Sequence, residues 1–252
     1  MPELVIKELF GFSGNTIFLI KDNDRLFVRK IGNISRNVER MQALSAIYPL
    51  PAIYRYSENE LDCEYIHSLD IKSYLLTHDT TELTNFLVKF FDSLAVNTVL
   101  KDYTQVYVDK LSQIDFCKNI EFTKDELLHS LPKMLPSSEY FGDLTLENIL
   151  YSESKGFVLI DCQTVEYDSY IFDIAKLRQD LESKWFLRND NILLDVKLHT
   201  IQRVLLERYP ESNNKYLLIL MLLRAYRYSK ENTYEREFLV SCINTLWAQP
   251  TR

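Results

Sequence analysis

The stretch GDLTLEN, residues 142–148, read together with FVLIDCQ, residues 157–163, decides how this chain is interpreted. Asp143 and Asn148 stand five positions apart on a loop, and a further carboxylate, Asp161, ends the apolar run that follows. Asn148 to Tyr151 and Phe157 to Ile160 read as two short strands around a turn over Ser152 to Gly156. A hairpin brings its two ends together, so Asn148 and Asp161 are expected side by side despite their separation in sequence. An Asp on a turn is often no more than a turn former or a helix cap. Three oxygen donors on one loop and hairpin, flanked by apolar strands, form a pattern more specific than any single member.

Phosphoryl transfer needs such donors. One carboxylate receives or orients the proton of the substrate hydroxyl, and further oxygens hold the Mg²⁺ that bridges the phosphates. On this reading Asp143 is the catalytic base, and Asn148 and Asp161 are the metal ligands.

Working outward, the N-terminal third is strand-like. Thr16 to Ile20 and Leu26 to Ile31 are β-branched or aromatic runs, and KDND, residues 21–24, supplies turn chemistry between them. Ser35 is expected to cap a helix over Arg36 to Ile47, where Val38, Met41 and Leu44 recur at helical spacing, and Pro49 and Pro51 end it. Pro51 to Tyr56 and Leu61 to Ile66 read as two more strands. Beyond them helices are expected over Asp70 to Leu76, Thr81 to Val99 and Lys124 to Leu131. Residues 100–120 give no clear pattern. From Ile171 onward the chain reads as mainly amphipathic helix.

The residues Gly142, Asp143, Asn148 and Asp161 resemble the catalytic and metal-binding motifs of the aminoglycoside phosphotransferase and choline kinase group, the small-molecule branch of the protein-kinase-like fold. The resemblance implies an α+β, bilobal architecture. Residues 1–66 would form a small antiparallel β-sheet lobe with one helix that binds nucleotide, and residues 67–252 a larger, mainly helical lobe for catalysis and substrate binding. It also implies ATP and Mg²⁺ as cofactors and a small-molecule hydroxyl acceptor. The family usually carries His before the Gly-Asp pair, where this chain has Phe141.

The same resemblance asks for a lysine on a strand and an acid on the following helix. Lys30 is the only lysine between Asp24 and Glu58, and Glu39 the only acid. Lys30 would hold the α and β phosphates, with Glu39 fixing its position as the family's ion pair does. Alternation puts Lys30 on the strand face shared with Leu26 and Val28, and Arg29 on the other. In GFSGNTIFLI, residues 11–20, Gly11 and Gly14 would let backbone amides approach phosphate, with Ser13, Asn15 or Thr16 as further donors, although the segment also suits an ordinary hairpin turn. Glu64, Tyr65 and Ile66 match the hinge whose backbone meets the adenine edge. Asp173 matches an acid that braces backbone amides near the catalytic loop rather than touching substrate.

Protein-serine/threonine kinases fit less well, because Thr145 and Cys162-Gln163 stand where they carry Lys and Phe-Gly. The acceptor is not legible. The resemblance leaves a sugar, amino alcohol or aminoglycoside-like acceptor open; a sugar or sugar-like one is preferred by analogy with kinase-like proteins of bacterial surface-glycan synthesis, with Trp185, Tyr226, Arg227 and Glu182 as pocket candidates that are each more naturally packing or surface residues. The rival reading is a pseudokinase, a nucleotide-binding or scaffolding module without turnover.

Composition agrees with an ordinary globular protein. The 252 residues are 46% hydrophobic and 26% charged, and the formal net charge of −7 argues against a nucleic-acid partner. The acidic balance is compatible with a cationic ligand. Glu3, Lys7 and Glu8 interrupt any apolar leader, and the longest apolar run, Tyr216 to Leu223, falls short of the roughly 20 residues that cross a bilayer. Four scattered cysteines without C-x-x-C spacing suit reduced thiols in the cytoplasm. No obligate protein partner is inferable.

Overall fold

The computed structural model describes residues 3–9 and 15–250. The chain divides into two compact units, Met1–Thr77 with Glu147–Val165, and His78–Leu146 with Glu166–Arg252.

The first unit is built on a five-stranded antiparallel sheet in the order β1-β2-β3-β5-β4. Its strands are β1 (Leu4–Leu9), β2 (Thr16–Asp22), β3 (Arg25–Ile31), β4 (Ile53–Tyr56) and β5 (Glu60–Glu64). Strands β2 and β3 close on a two-residue turn at Asn23 and Asp24, with Asp22 opposite Arg25. Asn23 takes φ 53, a left-handed conformation that Asn tolerates because its short side chain can hydrogen-bond locally. Helix α1 (Ser35–Leu44) begins one residue earlier than expected. Ser35 is not its cap: the hydroxyl donates to Asn33 Oδ1 at 3.2 Å.

Two further stretches complete this unit: β6 (Leu69–Asp70) with α2 (Ile71–Thr77), and the hairpin β9 (Ile149–Ser152) and β10 (Gly156–Leu159). Strand β9 lies between β10 and β6 in a three-stranded sheet. Tyr74 of α2 packs its ring on Tyr151 and Phe157, with centroids 4.6 and 5.2 Å away. The backbone ties the hairpin to the N-terminal stretch as well, since the Leu159 amide donates to Pro49 O and the Thr164 amide to Arg36 O.

The second unit is mainly helical. Its long elements are α3 (Thr81–Leu94), α6 (Tyr170–Leu181), α7 (Asp195–Arg208), α8 (Lys215–Tyr228) and α9 (Tyr234–Ala248), with the shorter α4 (Thr104–Ser112) and α5 (Lys124–Ser130). Helix α3 stops five residues before the predicted end at Val99. Asn97 turns left-handed (φ 53), and Val99–Asp102 instead forms β7, paired with β8 (Met134–Ser137). The apolar run 217–223 is buried throughout, as its composition predicts, where α8 packs on α6 and α9. Among the described residues no helix is long and apolar enough to cross a membrane.

Helix α6 is buried along all 12 residues, yet it carries Asp173, Lys176, Arg178, Gln179 and Asp180. Buried polar groups of this kind persist only when they are paired, and their partners define one half of the site.

Candidate functional site

In the first unit, Lys30 projects from β3 and its Nζ lies 2.5 Å from Asp161 Oδ1. The Lys30 side chain is 13% exposed and that of Asp161 32%, so the lysine is largely shielded and the carboxylate partly open to solvent. Asp161 follows β10 with φ 62, a conformation seldom used outside glycine, Asn and Asp, which turns the chain sharply at the strand end. Asn37, on the buried face of α1, donates from Nδ2 to Asp161 Oδ1 at 3.1 Å and to Cys162 O at 2.8 Å. Both described donors therefore act on Oδ1.

The hairpin register does what its sequence implies. Leu159 pairs with Ile149, the Ile160 amide continues the ladder to Asn148 O at 2.9 Å, and Asn148 and Asp161 emerge from the same end. Burial pushes the neighbouring thiols of Cys63 and Cys162 up to about 11 and about 12, so both stay protonated and neither competes with the carboxylate as an anionic ligand.

The ion pair expected between Lys30 and Glu39 is replaced by Lys30 with Asp161. Glu39 is exposed, and its Oε2 accepts from the Thr164 hydroxyl at 3.0 Å. Helical geometry explains the correction. Asn37, Met41 and Leu44 lie one turn apart on the buried stripe, whereas Glu39 is two positions from Asn37 and so faces away from it. Asn37 was missed because an Asn at the head of an apolar stripe reads as a surface residue. Its i, i+4 relation to Met41 was the available signal.

Arg29, on the opposite face of β3, is the hub of a structural cluster. It meets Asp62 at 2.7 Å and Glu3 at 2.7 Å, and Arg55 joins the same two acids. Burial alone would push the Asp62 carboxyl up, but hydrogen bonds from Arg29 and Arg55 outweigh it and hold the group below the usual carboxylate range.

At the hinge candidates, Glu64 ends β5, with its amide donating to Ala52 O and its carboxylate engaging Lys155 and the Ala52 amide. Tyr65 sets its ring edge-on to His67 at 4.9 Å, and Ile66 is buried. Residues 65–68 carry no regular structure. Of the predicted phosphate loop, Gly11, Ser13 and Gly14 lie outside the described residues. Asn15 is described, and its side chain lies over Gly32. A Cβ on Gly32 would come 2.3 Å from Asn15 Oδ1, and φ 140 there also demands glycine.

In the second unit, one face of α6 holds the 141–146 loop. Asp173 accepts from the Phe141 amide at 2.5 Å and the Gly142 amide at 2.8 Å, the bracing role expected of it. Asp180, two helical turns on, accepts from the Leu146 amide at 2.7 Å. Lys176 lies between them on the same face and sets its Nζ 3.3 Å from Asp143 Oδ1. Arg224 of α8 brings Nη2 to 4.0 Å from the same oxygen. Gly142 takes φ 100, which lets successive amides turn to one carboxylate. The Phe141 ring is fully buried and packs against Phe90 at 6.1 Å.

Sequence reading found Asp173 but not Lys176, Asp180 or Arg224. Their signal was the spacing Asp173, Lys176, Asp180, three charges at i, i+3 and i+7 in a helix otherwise suited to full burial. The pocket candidates are otherwise engaged. Tyr226 is buried and takes a hydrogen bond from Arg236, Arg227 donates to Gln113, Glu182 accepts from Arg178 and Gln202, and Trp185 lies under Arg188.

No protein-family model matches the chain, and no curated protein matches it either. Solved structures do. The fold they share with this chain is a kinase-like α+β fold. The chain aligns with the apo crystal structure of a thermostable mutant of aminoglycoside phosphotransferase APH(4)-Ia at TM-score 0.67 and 10% identity, over 95% of this chain and 92% of that one. With choline kinase LicA from Streptococcus pneumoniae the TM-score is 0.65 at 14% identity, over 99% and 95% of the two chains. An APH(4)-Ia mutant solved as a ternary complex with AMP-PNP and hygromycin B aligns at TM-score 0.64 and 12% identity, over 95% and 92%.

Proposed function

We propose that this protein is an ATP-dependent kinase that transfers the γ-phosphoryl group to a hydroxyl of a small-molecule acceptor. The observation that carries the reading is the Lys30–Asp161 pair, held by Asn37, at the hairpin end that also presents Asn148. A strand lysine and a post-hairpin carboxylate are the parts that kinases use for phosphate and metal. The neighbours in fold, an aminoglycoside phosphotransferase and a choline kinase, support it.

Lys30 holds the α and β phosphates. The backbone of Glu64, Tyr65 and Ile66 receives the adenine edge, and Gly11, Ser13, Gly14 and Asn15 cover the phosphates. Residues 1–66 thus supply most nucleotide contacts, and residues 67–252 supply catalysis and acceptor binding. Asn148 and Asp161 suit Mg²⁺: both offer hard oxygens, and the described hydrogen bonds to Asp161 fall on Oδ1 alone, leaving Oδ2 for a ligand. Mg²⁺ takes one or two such protein oxygens and completes its shell with phosphate and water. When bound, it would neutralise charge on the transferring group.

Asp143 orients the acceptor hydroxyl and takes its proton. The acceptor oxygen forms a bond to the γ phosphorus as the bond from that phosphorus to the β–γ bridging oxygen breaks, and ADP leaves with the bond's electron pair. The loop amides anchored by Asp173 and Asp180 fix Asp143 in place. A sugar or sugar-like acceptor, in the setting of bacterial surface-glycan synthesis and in the cytoplasm, is the preferred role.

The pseudokinase reading leans on Phe141 and on the thin glycine loop of residues 11–20. That ring belongs to the core, and its backbone amide, held by Asp173, does the positioning at this point of the loop. The test is a Mg-ATP turnover screen against sugars, amino alcohols and aminoglycosides. ADP release with one class, abolished in Asp143→Asn while nucleotide still binds, supports the kinase; a partner bound equally well with or without Asp143, and no turnover, supports the scaffold.

A further inference from the structure

Asp143 is one carboxylate shared by two cations. Lys176 and Arg224 both approach its Oδ1, at 3.3 and 4.0 Å, and their side chains are only 11% and 18% exposed. Among the described residues, neither has another acid within 4.0 Å; Asp173 and Asp180, which flank Lys176 on α6, are taken up by the 141–146 loop amides. The remaining bond of Lys176 goes to Gln179 Oε1 at 3.3 Å. Arg224 gives Nη1 to Met221 Sδ at 3.3 Å, and its guanidinium lies over the Tyr167 ring at 5.1 Å. A thioether is a weak acceptor, so that N–H is readily exchanged for a stronger one.

Arg224 is largely buried, and its nearest carboxylate is 4.0 Å away and already 3.3 Å from Lys176, so the guanidinium is under-paired where burial makes that costly. An amine brought beside the Arg224 guanidinium would meet repulsion, whereas a carboxylate or phosphate there would complete its pairing, and the planar fork matches either anion.

We infer that the acceptor carries an anionic group near the hydroxyl that is phosphorylated, and that Arg224 with Lys176 selects it. This rests on the kinase reading of Asp143 and narrows the sugar-like acceptor to an acidic one. Cations serving only the transferred phosphoryl group would act alike on every acceptor. Cations reading the acceptor act on KM for the charged one.

The experiment uses the full chain with Mg-ATP and matched sugars on one scaffold: glucose, glucosamine, glucuronate and glucose 6-phosphate. Calorimetric titration of the same four compounds runs in parallel. An anionic member is expected to lead in kcat/KM by about 10- to 100-fold, the worth of one or two charge-assisted hydrogen bonds. Arg224→Gln should erase that lead through KM, and Arg224→Lys should restore part of it. A lead for glucose or glucosamine overturns the inference, as does an Arg224→Gln loss confined to kcat and equal for all four. If nothing turns over, the kinase reading is what fails. Titration then decides the anion site alone: heat from glucuronate or glucose 6-phosphate that Arg224→Gln abolishes upholds it, and no such heat refutes it.

Discussion

Lys30 and Asp161 are 131 residues apart in sequence and meet at 2.5 Å, with Asn37 donating to the same carboxylate oxygen at 3.1 Å. Strand register on one side and hairpin closure on the other bring them together. The acid that faces the strand lysine is therefore the residue after the hairpin, and the helix contributes an amide rather than a carboxylate.

Asn37 and Glu39 should accordingly differ on substitution. Asn37→Ala removes two hydrogen bonds, one of them to the Cys162 carbonyl, and should cost about 1–3 kcal/mol of stability together with weaker Mg²⁺-dependent nucleotide binding. Glu39→Ala, at an exposed position, should stay within about 0.5 kcal/mol of the parent. Urea denaturation and nucleotide titration of both variants check this. Equal losses would restore Glu39 as the functional acid.

The α6 clamp predicts graded losses. Asp173→Ala strands two buried amides and should cost about 3 kcal/mol or more, whereas Asp180→Ala releases one and should cost roughly half as much. Hydrogen exchange should show faster opening at 141 and 142 in the first variant and at 146 in the second. Uniform exchange in both would show that the loop is held by other means.

Placing a histidine before the Gly142-Asp143 pair should not help. Phe141→His puts a polar ring into a fully buried position against Phe90, and about 2 kcal/mol of destabilisation with no gain in turnover is expected. Thermal melting and ADP release measure both, and a gain in rate would show that the position reaches the reacting groups.

The Asp62 cluster sets an acid limit. Its carboxyl lies below the ordinary range in the folded chain, because Arg29 and Arg55 outweigh the effect of burial. A depressed folded value means stabilisation that is present above about pH 4 and lost as pH falls through the lowered value. Urea midpoints should fall below pH 4, and Asp62→Asn should be less stable at neutral pH with a flatter acid limb. An unchanged limb would place the acid sensitivity elsewhere.

Much of this was readable in the residues. Alternation placed Lys30 inward, two short apolar strands around Ser152 to Gly156 announced the hairpin, and the motif order pointed to the fold. The misses share one cause. Asn37, Lys176, Asp180 and Arg224 are polar residues on buried helical faces, and polarity alone reads as solvent exposure until tertiary partners are known. The end of α3 was missed because Ala95, Val96 and Val99 continue an apolar pattern while Asn97 breaks the backbone.

The central claim is that Lys30 and Asp161 hold Mg-ATP. Calorimetric titration of Mg-ATP into the parent chain, Lys30→Met and Asp161→Asn tests it most directly. Binding should weaken by about 10-fold or more in both variants, consistent with loss of a charge-assisted contact, and in Asp161→Asn the loss should vanish when Mg²⁺ is omitted. Unchanged affinity in both, or an Asp161→Asn loss independent of Mg²⁺, would contradict the account.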